Sequence, residues 1–226
     1  MLEGKRVLIT HADRYMGPEI APVFEEEGAE VILNADPLTE PDAAQRVVDE
    51  AGRVDVLVAN LAERAWWSEL AQDIRDAEWL EYFDDIVHPL MRLTRAVLPQ
   101  MIERRSGKIV AVTSAAPLRG IPKATGYCAA RGAQNAFIRA AGLESARHNV
   151  QINAIAQNYV ENITYYPPDL LANEKMMERM LQVIPAKRLG KGRESAFLAA
   201  FLASDRSDFM VGQVIPFSGG WVTTTG

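Results

Sequence analysis

The chain of 226 residues has a single cysteine, Cys128, so no disulfide can form within it and an oxidising compartment is not implied. It has no apolar run near the roughly 20 residues that a membrane span needs. It also lacks an excess of positive charge, because its formal net charge of -6 disfavours nucleic acids and anionic membranes as partners. The first residues lead directly into a predicted strand, without a signal peptide. We therefore expect a cytoplasmic enzyme that forms one domain over residues 1–226.

Glycine is scarce where the first turn of the chain would need it. The β-branched run at residues 5–10 predicts a buried first strand, and a dinucleotide-binding protein follows such a strand with a turn that holds three glycines. In residues 10–17 only Gly17 remains, since His11 and Tyr15 occupy the other two positions. A tyrosine ring there fills the space that the phosphates use, so we expect no cofactor. A diverged turn that still binds a dinucleotide in an unusual pose is the alternative.

The region after the second predicted strand, Glu30–Leu33, is short. One predicted helix, residues 41–51, separates it from a predicted strand at residues 54–59. A full dinucleotide fold places a further helix and strand here, next to the adenosine. Buried runs at residues 108–112 and 150–156 alternate with helical patterns. We predict an α/β fold: a Rossmann-like, doubly wound, mostly parallel sheet with flanking helices, trimmed in the adenosine-binding half.

Three longer helical patterns complete the predicted fold. Apolar residues spaced by three or four predict a helix over residues 79–105, which Pro89 and Pro99 are expected to kink or break. Residues 127–148 predict a second helix, and residues 170–183 predict a helix that covers a substrate site. Three tryptophans without a clear period fit either a substrate pocket or ordinary packing: Trp66, Trp67 and Trp79.

A serine, a tyrosine and an arginine follow the predicted strand at residues 108–112. Ser114 comes just after this strand, Tyr127 thirteen residues later, and Arg131 four residues after that. Positions i and i+4 share one face of a helix, where a fixed cation favours a phenolate. A serine hydroxyl alongside can hold a substrate oxygen while the tyrosine moves its proton. Tyrosine and arginine four residues apart are also common as purely structural neighbours.

The spacing of Ser114, Tyr127 and Arg131 resembles the catalytic triad of the halohydrin dehalogenases, a cofactor-independent branch of the short-chain dehydrogenase/reductase superfamily. The first turn also matches that family, through Thr10, Tyr15 and Gly17. The resemblance extends from residue 5 to about residue 221, which is essentially the whole chain. It implies a site without a nicotinamide and without a metal.

The resemblance also implies where a halide binds. Gln157 and Asn158 follow the predicted strand at residues 150–156, where the dehydrogenases have proline and glycine beside the nicotinamide. The backbone N–H groups of Tyr159 and Val160 are expected to face the anion. Ring edges and a hydroxyl are expected from Tyr15, Tyr165 and Tyr166. A flexible lid rich in tyrosine is the alternative. The substrate pocket is expected to be lined by Pro117 and Leu118.

By this resemblance the chain closes a vicinal haloalcohol to an epoxide and releases halide and a proton. Tyr127 is the expected base, Arg131 activates it, and Ser114 orients the substrate oxygen. The implied partners are a haloalcohol or epoxide and a halide or other small anion, with no nucleic acid and no membrane, and the implied assembly is a homotetramer. Two other functions stay open: an NAD(P)-dependent reductase with a degenerate cofactor turn, and a catalytically silent scaffold that binds a ligand or a protein.

Overall fold

The computed structural model describes residues 1–62 and 70–224, and in this part of the chain six strands form one parallel sheet. The strands are β1 (Arg6–Ile9), β2 (Glu30–Leu33), β3 (Val56–Asn60), β4 (Gly107–Ser114), β5 (Val150–Gln157) and β6 (Val214–Phe217). Their order across the sheet is β2-β1-β3-β4-β5-β6, and every neighbouring pair is parallel. The predicted Rossmann-like α/β fold is confirmed.

Helices cover both faces of this sheet. They are α1 (Gly17–Glu26), α2 (Ala43–Ala51), α3 (Asp76–Tyr82), α4 (His88–Arg104), α5 (Ala116–Arg119), α6 (Thr125–Ala146), α7 (Pro168–Leu171), α8 (Glu174–Val183) and α9 (Gly192–Ala203). Only α2 lies between β2 and β3, and all residues of that connection are described. The predicted short connection is therefore confirmed, and β2 is an edge strand of the described sheet. None of the described helices has the length and apolar character needed to cross a bilayer.

The inner strands β1, β3, β4 and β5 are buried on both faces because their alternate side chains point into two separate apolar clusters. Val7 and Ile9 of β1 pack on the face that α1 and α9 cover. Leu8, between them, packs on the opposite face with residues of α2, α4 and α6. A strand buried on both faces needs no alternation of polar and apolar residues, which is why these strands appear in the sequence as continuous apolar runs.

The prediction of one helix over residues 79–105 is wrong in detail. The segment consists of α3, a π-helical turn at Phe83–Val87, and α4. Pro89 lies in the first turn of α4, where its missing N–H does no harm. Pro99 lies inside α4 without ending it.

The prediction of one helix over residues 170–183 also needs correction, because the structure has two helices, α7 and α8. The break falls at Asn173, whose side-chain oxygen accepts a hydrogen bond of 3.1 Å from the Met176 N–H. An asparagine in this role satisfies an N–H that a helix start leaves unpaired, so it begins a new helix.

The carboxyl ends of β1, β3, β4 and β5 lie along one edge of the sheet because the strands are parallel. In the β4–β5 register the two strands end level, with Ser114 beside Gln157. The chain winds outward in opposite directions from β1, to β2 on one side and to β3 on the other. Open α/β sheets bind ligands in the crevice at such an edge.

Candidate active site

A cavity of about 720 Å³ opens at this edge of the sheet. The turn after β1, the end of β4, the start of α6 and the loop after β5 form its inner wall, and α8 closes the outer side. Most of the residues that the sequence singled out line it: Tyr15, Ser114, Tyr127, Gln157, Asn158, Tyr159, Val160, Tyr165 and Tyr166. Arg131 lies behind this wall, fully buried.

Ser114 is the last residue of β4 and is 4% exposed. Its Oγ accepts a hydrogen bond of 3.0 Å from the N–H of Ala116. This bond uses a lone pair of the hydroxyl, so the hydroxyl proton remains available to a ligand oxygen. The carbonyl of Ser114 accepts a bond of 3.2 Å from Asn135 on α6, which ties the strand end to that helix.

Tyr127 and Arg131 lie one helical turn apart on α6, and they are in contact as the sequence predicts. The Arg131 Nε donates a hydrogen bond of 3.3 Å to the Tyr127 hydroxyl. Its Nη2 donates to the Tyr165 hydroxyl at 3.4 Å, and its Nη1 donates to the carbonyl of Val112 at 3.3 Å and to the side chain of Gln134 at 2.9 Å. The guanidinium therefore fixes the phenol from behind the cavity wall.

Within residues 1–62 and 70–224 no carboxylate lies at ion-pair distance from Arg131. Burial alone lowers the pKa of the Arg131 guanidinium, but the surrounding tyrosine oxygens hold this pKa above its ordinary value. The guanidinium carbon also lies 5.3 Å from the ring centre of Tyr127 and 5.8 Å from that of Tyr15. Arg131 is thus a buried positive charge enclosed by tyrosine rings, and such a charge attracts an anion or a phenolate.

Tyr15 and Tyr165, which both lie beside Arg131, also contact each other. The rings of Tyr15 and Tyr165 meet edge to face, with centres 5.2 Å apart, and the Tyr15 hydroxyl donates to the carbonyl of Thr113 at 3.4 Å. Burial raises the pKa of both phenols above the ordinary value, and the Arg131 cation opposes this only in part. Burial also raises the pKa of Tyr166. These three phenols are therefore protonated at neutral pH.

The loop after β5 differs from the prediction at one amide. The N–H of Tyr159, expected to face an anion, instead donates to the Oδ1 of Asn158 at 3.0 Å, because that side chain folds back on its own loop. The N–H of Val160 makes no hydrogen bond within the described residues and remains a candidate donor. Gln157 accepts a bond of 2.9 Å from the hydroxyl of Ser195 on α9, which holds its side chain in place.

Pro117 and Leu118, which were expected in the substrate pocket, are not among the residues that line this cavity. Their neighbours Ala116 and Ile121 line it instead. The physical reason is that α5 is a single turn: Pro117 lies over Gly132 of α6, and Leu118 packs on the apolar core.

Of the three tryptophans that the sequence singled out, one lies within the described residues. Trp66 and Trp67 lie outside the described residues. Trp79 lies on α3, is 38% exposed, and packs against Phe83 with ring centres 5.2 Å apart. It does not line the cavity.

Sequence reasoning missed the polar residues that hold this site together. Asn162 accepts hydrogen bonds from the N–H groups of Thr164 and Tyr165, at 3.1 and 2.8 Å, and donates to the carbonyl of Val160 at 2.8 Å. An asparagine two residues before a threonine is a common turn signal that could have revealed this loop. Gln134 was also missed, although its position three residues after Arg131 places it on the same helix face.

Comparisons with known proteins decide the family. A family model described as enoyl-(acyl carrier protein) reductase matches residues 2–222. The chain belongs to the short-chain dehydrogenase/reductase superfamily. Among curated members, nodulation protein G of Rhizobium meliloti (strain 1021) is 31% identical over 97% of each chain. The 3-oxoacyl-(acyl-carrier-protein) reductase FabG of Thermotoga maritima is 31% identical over 98% of this chain and 99% of its own.

Solved structures similar to this chain include a levodione reductase and two dehalogenases. A structure described as a dehalogenation enzyme has a TM-score of 0.91 and 32% identity, and the match covers 98% of this chain and 100% of that one. A halohydrin dehalogenase bound to ethyl (2S)-oxiran-2-ylacetate has a TM-score of 0.87 over 97% of this chain and 98% of its own. Its identity is 24%, so this likeness concerns the fold alone.

In a dinucleotide-binding fold the pyrophosphate lies against the turn after the first strand, and here that turn does not fit it. His11 and Tyr15 have φ angles of 45° and 51°, so the turn keeps a backbone conformation that favours glycine while it carries side chains. Tyr15 is 3% exposed and its ring packs in the core. Gly17 remains glycine because a Cβ there would lie 2.5 Å from the carbonyl oxygen of Ala12.

The N–H groups that a pyrophosphate would use at the start of α1 are also engaged. The N–H of Tyr15 donates to the Thr164 hydroxyl at 2.8 Å, and the N–H of Met16 donates to the Asn60 side chain at 3.2 Å. Pro18 follows in the first turn of α1 and has no N–H. The loop after β5 thus docks where phosphates bind in a dinucleotide fold. Within the described residues no three His, Cys, Asp or Glu side chains cluster as metal ligands.

Proposed function

We propose that this enzyme of the short-chain dehydrogenase/reductase superfamily is a halohydrin dehalogenase. It converts vicinal haloalcohols to epoxides with release of halide and a proton, and it opens epoxides with small anions in the reverse direction. The observation that carries the proposal is the buried Arg131 guanidinium, hydrogen-bonded to the Tyr127 phenol and without a carboxylate partner in the described residues. A cation beside a phenol favours the phenolate, which is the form that a general base needs.

The forward reaction begins when the Tyr127 oxygen takes the proton of the substrate hydroxyl. Ser114 donates its hydroxyl proton in a hydrogen bond to the same substrate oxygen and so orients it. This oxygen attacks the neighbouring carbon from the side opposite the halogen. A carbon–oxygen bond forms as the carbon–halogen bond breaks, and the electron pair leaves with the halide. The proton then passes from Tyr127 to water, so no hydride moves and no redox partner is needed.

In this proposal the leaving halide lies among groups that suit a large, weakly hydrated anion. The edges of the Tyr15 and Tyr165 rings carry partial positive charge, and the Val160 N–H has no competing acceptor in the described residues. Arg131 adds a positive field from behind the wall, at 5.8 Å from the Tyr15 ring centre. The low dielectric of a buried site strengthens each of these attractions.

The dehalogenation enzyme at 32% identity supports this proposal, because it resembles this chain over almost its full length. The engaged turn after β1 supports it independently, since a redox enzyme would need that turn for its cofactor. We further propose a small haloalcohol or epoxide and a small anion as the partners of the site, and a cytoplasmic location.

An NAD(P)-dependent reductase is the second candidate, because the curated relatives at 31% identity include a 3-oxoacyl-(acyl-carrier-protein) reductase. Titration of the purified protein with NADH and NADPH separates the two candidates. The dehalogenase proposal requires no saturable binding of either dinucleotide, whereas a reductase requires it.

Single substitutions test the assigned roles. We expect Tyr127→Phe to lower the rate of halide release by about 100-fold or more, as for loss of a general base. Ser114→Ala should lower it as well, since the substrate oxygen loses its donor. Tyr82→Phe is the matched control, because Tyr82 is buried beside Tyr127, with ring centres 6.2 Å apart, but does not line the cavity. A Tyr127→Phe enzyme as fast as this control would refute the mechanism.

A further inference from the structure

The shortest hydrogen bond of the Arg131 guanidinium goes to a neutral side chain, Gln134. The distance from Arg131 Nη1 to Gln134 Oε1 is 2.9 Å, whereas the bonds from the guanidinium to Tyr127, Val112 and Tyr165 measure 3.3 to 3.4 Å. Gln134 is 1% exposed. Its amide oxygen is therefore the closest partner of the buried charge.

The amide nitrogen of Gln134 also makes a short hydrogen bond. The Nε2 of Gln134 donates a bond of 2.6 Å to the carbonyl of Ile86, which lies in the π-helical turn Phe83–Val87. Only one orientation of the amide satisfies both neighbours, because a guanidinium must donate and a carbonyl must accept. The carbonyl of Ile86, the one buried residue of the π-helical turn, thus fixes the amide, and the amide fixes Arg131.

Helix geometry explains why this position can do so. Tyr127, Arg131 and Gln134 follow one another at steps of four and three residues, so they form one stripe along α6. The stripe faces the end of β4 and the π-helical turn. The π-helical turn Phe83–Val87 also carries two aspartates, Asp84 and Asp85. Asp84 hydrogen-bonds to His88 at 2.9 Å, and neither aspartate forms an ion pair with Arg131.

Because Gln134 is uncharged, it binds Arg131 without cancelling the positive charge of the guanidinium. A glutamate of the same shape would also accept from Arg131, but its negative charge would cancel the field that the guanidinium applies to the Tyr127 oxygen. Within residues 1–62 and 70–224, the other titratable groups around the Arg131–Tyr127 pair are phenols: Tyr15, Tyr82, Tyr165 and Tyr166.

We propose that Gln134 is a positioning residue for the base of the proposed dehalogenation: it anchors Arg131 to the Ile86 carbonyl, keeps Nε on the Tyr127 oxygen, and leaves the positive charge uncompensated. This inference rests on the proposed function for its kinetic consequences. Its structural core, the control of Tyr127 ionisation by Gln134, holds for any substrate.

The ionisation of Tyr127 can be followed without turnover, by the ultraviolet difference absorbance of tyrosinate as the pH is raised, with Tyr127→Phe as the background. We expect Gln134→Glu to move the Tyr127 titration upward by about one pH unit or more, because the new carboxylate competes for the guanidinium. Gln134→Leu should move it in the same direction, because Arg131 is no longer held on the phenol. Gln134→Glu keeps the size of the side chain, although the ionised carboxylate has no donor for the Ile86 carbonyl, and it serves if the leucine variant fails to fold.

Gln151→Leu is the matched control. Gln151 is also buried, 5% exposed, and its Nε2 donates to Asn149 at 3.2 Å. It pairs with Lys108 on β4, six residues before Ser114 in that strand, so it lies away from the site. We expect it to leave the titration unchanged.

Kinetics then links the inference to the proposed function. In an enzyme that releases halide, we expect Gln134→Leu to lower kcat by about 10- to 100-fold, with a much smaller change in KM. The pH at half-maximal kcat/KM should rise with the tyrosinate titration. A Tyr127 titration that stays at the wild-type pH in both Gln134 variants would overturn the inference, whether or not the wild type releases halide. Absence of halide release by the wild type would overturn the proposed function alone.

Discussion

Arg131 carries a charge that most proteins would neutralise with a carboxylate. Burying an ion costs several kcal/mol unless hydrogen bonds replace its hydration. Here the replacement comes from carbonyl, amide and phenol oxygens, and no carboxylate takes part within the described residues. Such a cation retains its field, and among the phenols that line the cavity the Tyr127 hydroxyl, at 3.3 Å from Nε, is the nearest to it. The chemistry of the site therefore depends both on the neutral oxygens that bind the guanidinium and on the lack of a carboxylate beside it in the described residues.

Tyr15 holds a backbone conformation that favours glycine, with φ of 51°. We expect Tyr15→Gly to be more stable than Tyr15→Ala by up to about 1 kcal/mol, although glycine is normally the less stable of the two. Both variants lose the same buried ring, so the comparison isolates the backbone. Urea denaturation of the two variants gives the difference in unfolding free energy. An alanine variant as stable as the glycine variant would show that the turn carries no such strain.

Because the Tyr15 phenol is buried, we expect the free energy of unfolding to fall at alkaline pH. Its pKa is raised in the folded state, mainly by burial, and exceeds the value of about 10 in the unfolded chain. The fold therefore favours the protonated phenol, and this stability is complete below about pH 10 and is lost as the pH rises toward the folded value. We expect the urea midpoint to fall above about pH 10, and to fall less in Tyr15→Phe. Identical declines in the two proteins would contradict this reading.

At the scale of elements, the unit from β4 to α6 was accessible from the sequence. A buried run, a serine and a helix that begins near a tyrosine are all local patterns, and the parallel sheet brings them together. The contacts of Gln134 and Asn162 were not accessible, because they join groups whose proximity depends on the π-helical turn and on a loop. The Tyr159 amide was misjudged for the same reason, since its acceptor is a side chain that folds back on the loop.

The helix α8 forms the outer wall of the cavity through Met176 and Met180, and it has no buried residue of its own. We expect Met180→Ala to raise KM about fivefold for an epoxide with a phenyl or butyl group, since about 1 kcal/mol of apolar contact is lost. A short epoxide should be unaffected because it lies deeper in the cavity. Met177→Ala is the control, as this residue does not line the cavity. Equal changes in KM for both epoxides would mean that α8 does not contact the substituent.

At the scale of the whole molecule, the described sheet ends at β2, so the half of the fold that would hold an adenosine is reduced. The parallel sheet and its short β2–β3 connection were the most predictable parts of the structure, because buried parallel strands appear as apolar runs between helical patterns. The order of the strands was not predicted. The family follows from the whole chain, whereas the choice between reductase and dehalogenase depends on a few residues in two turns and one helix.

Assembly is also a matter for the whole molecule, and we propose a homotetramer, as the resemblance to the dehalogenases implies. The outer face of α6 exposes Ala136, Ala140 and Leu143 at helical spacing, and Leu143 is 72% exposed. We expect Leu143→Glu to lower the mass measured by light scattering, because a charge would enter an apolar contact. Leu80→Glu is the control, since Leu80 is also exposed, at 57%, but lies on α3. A wild-type monomer, or a tetramer that persists in Leu143→Glu, would refute this assignment.

The most direct measurement of the central proposal is halide release from a short vicinal chloroalcohol by the purified protein, with no nicotinamide added. We expect one halide and one epoxide for each substrate molecule consumed, and loss of this activity in Tyr127→Phe. The contradictory result is a wild-type protein that releases no halide and instead reduces a carbonyl substrate when NADH or NADPH is supplied. That outcome would mean that the dinucleotide is accommodated despite Tyr15, and that the site transfers a hydride.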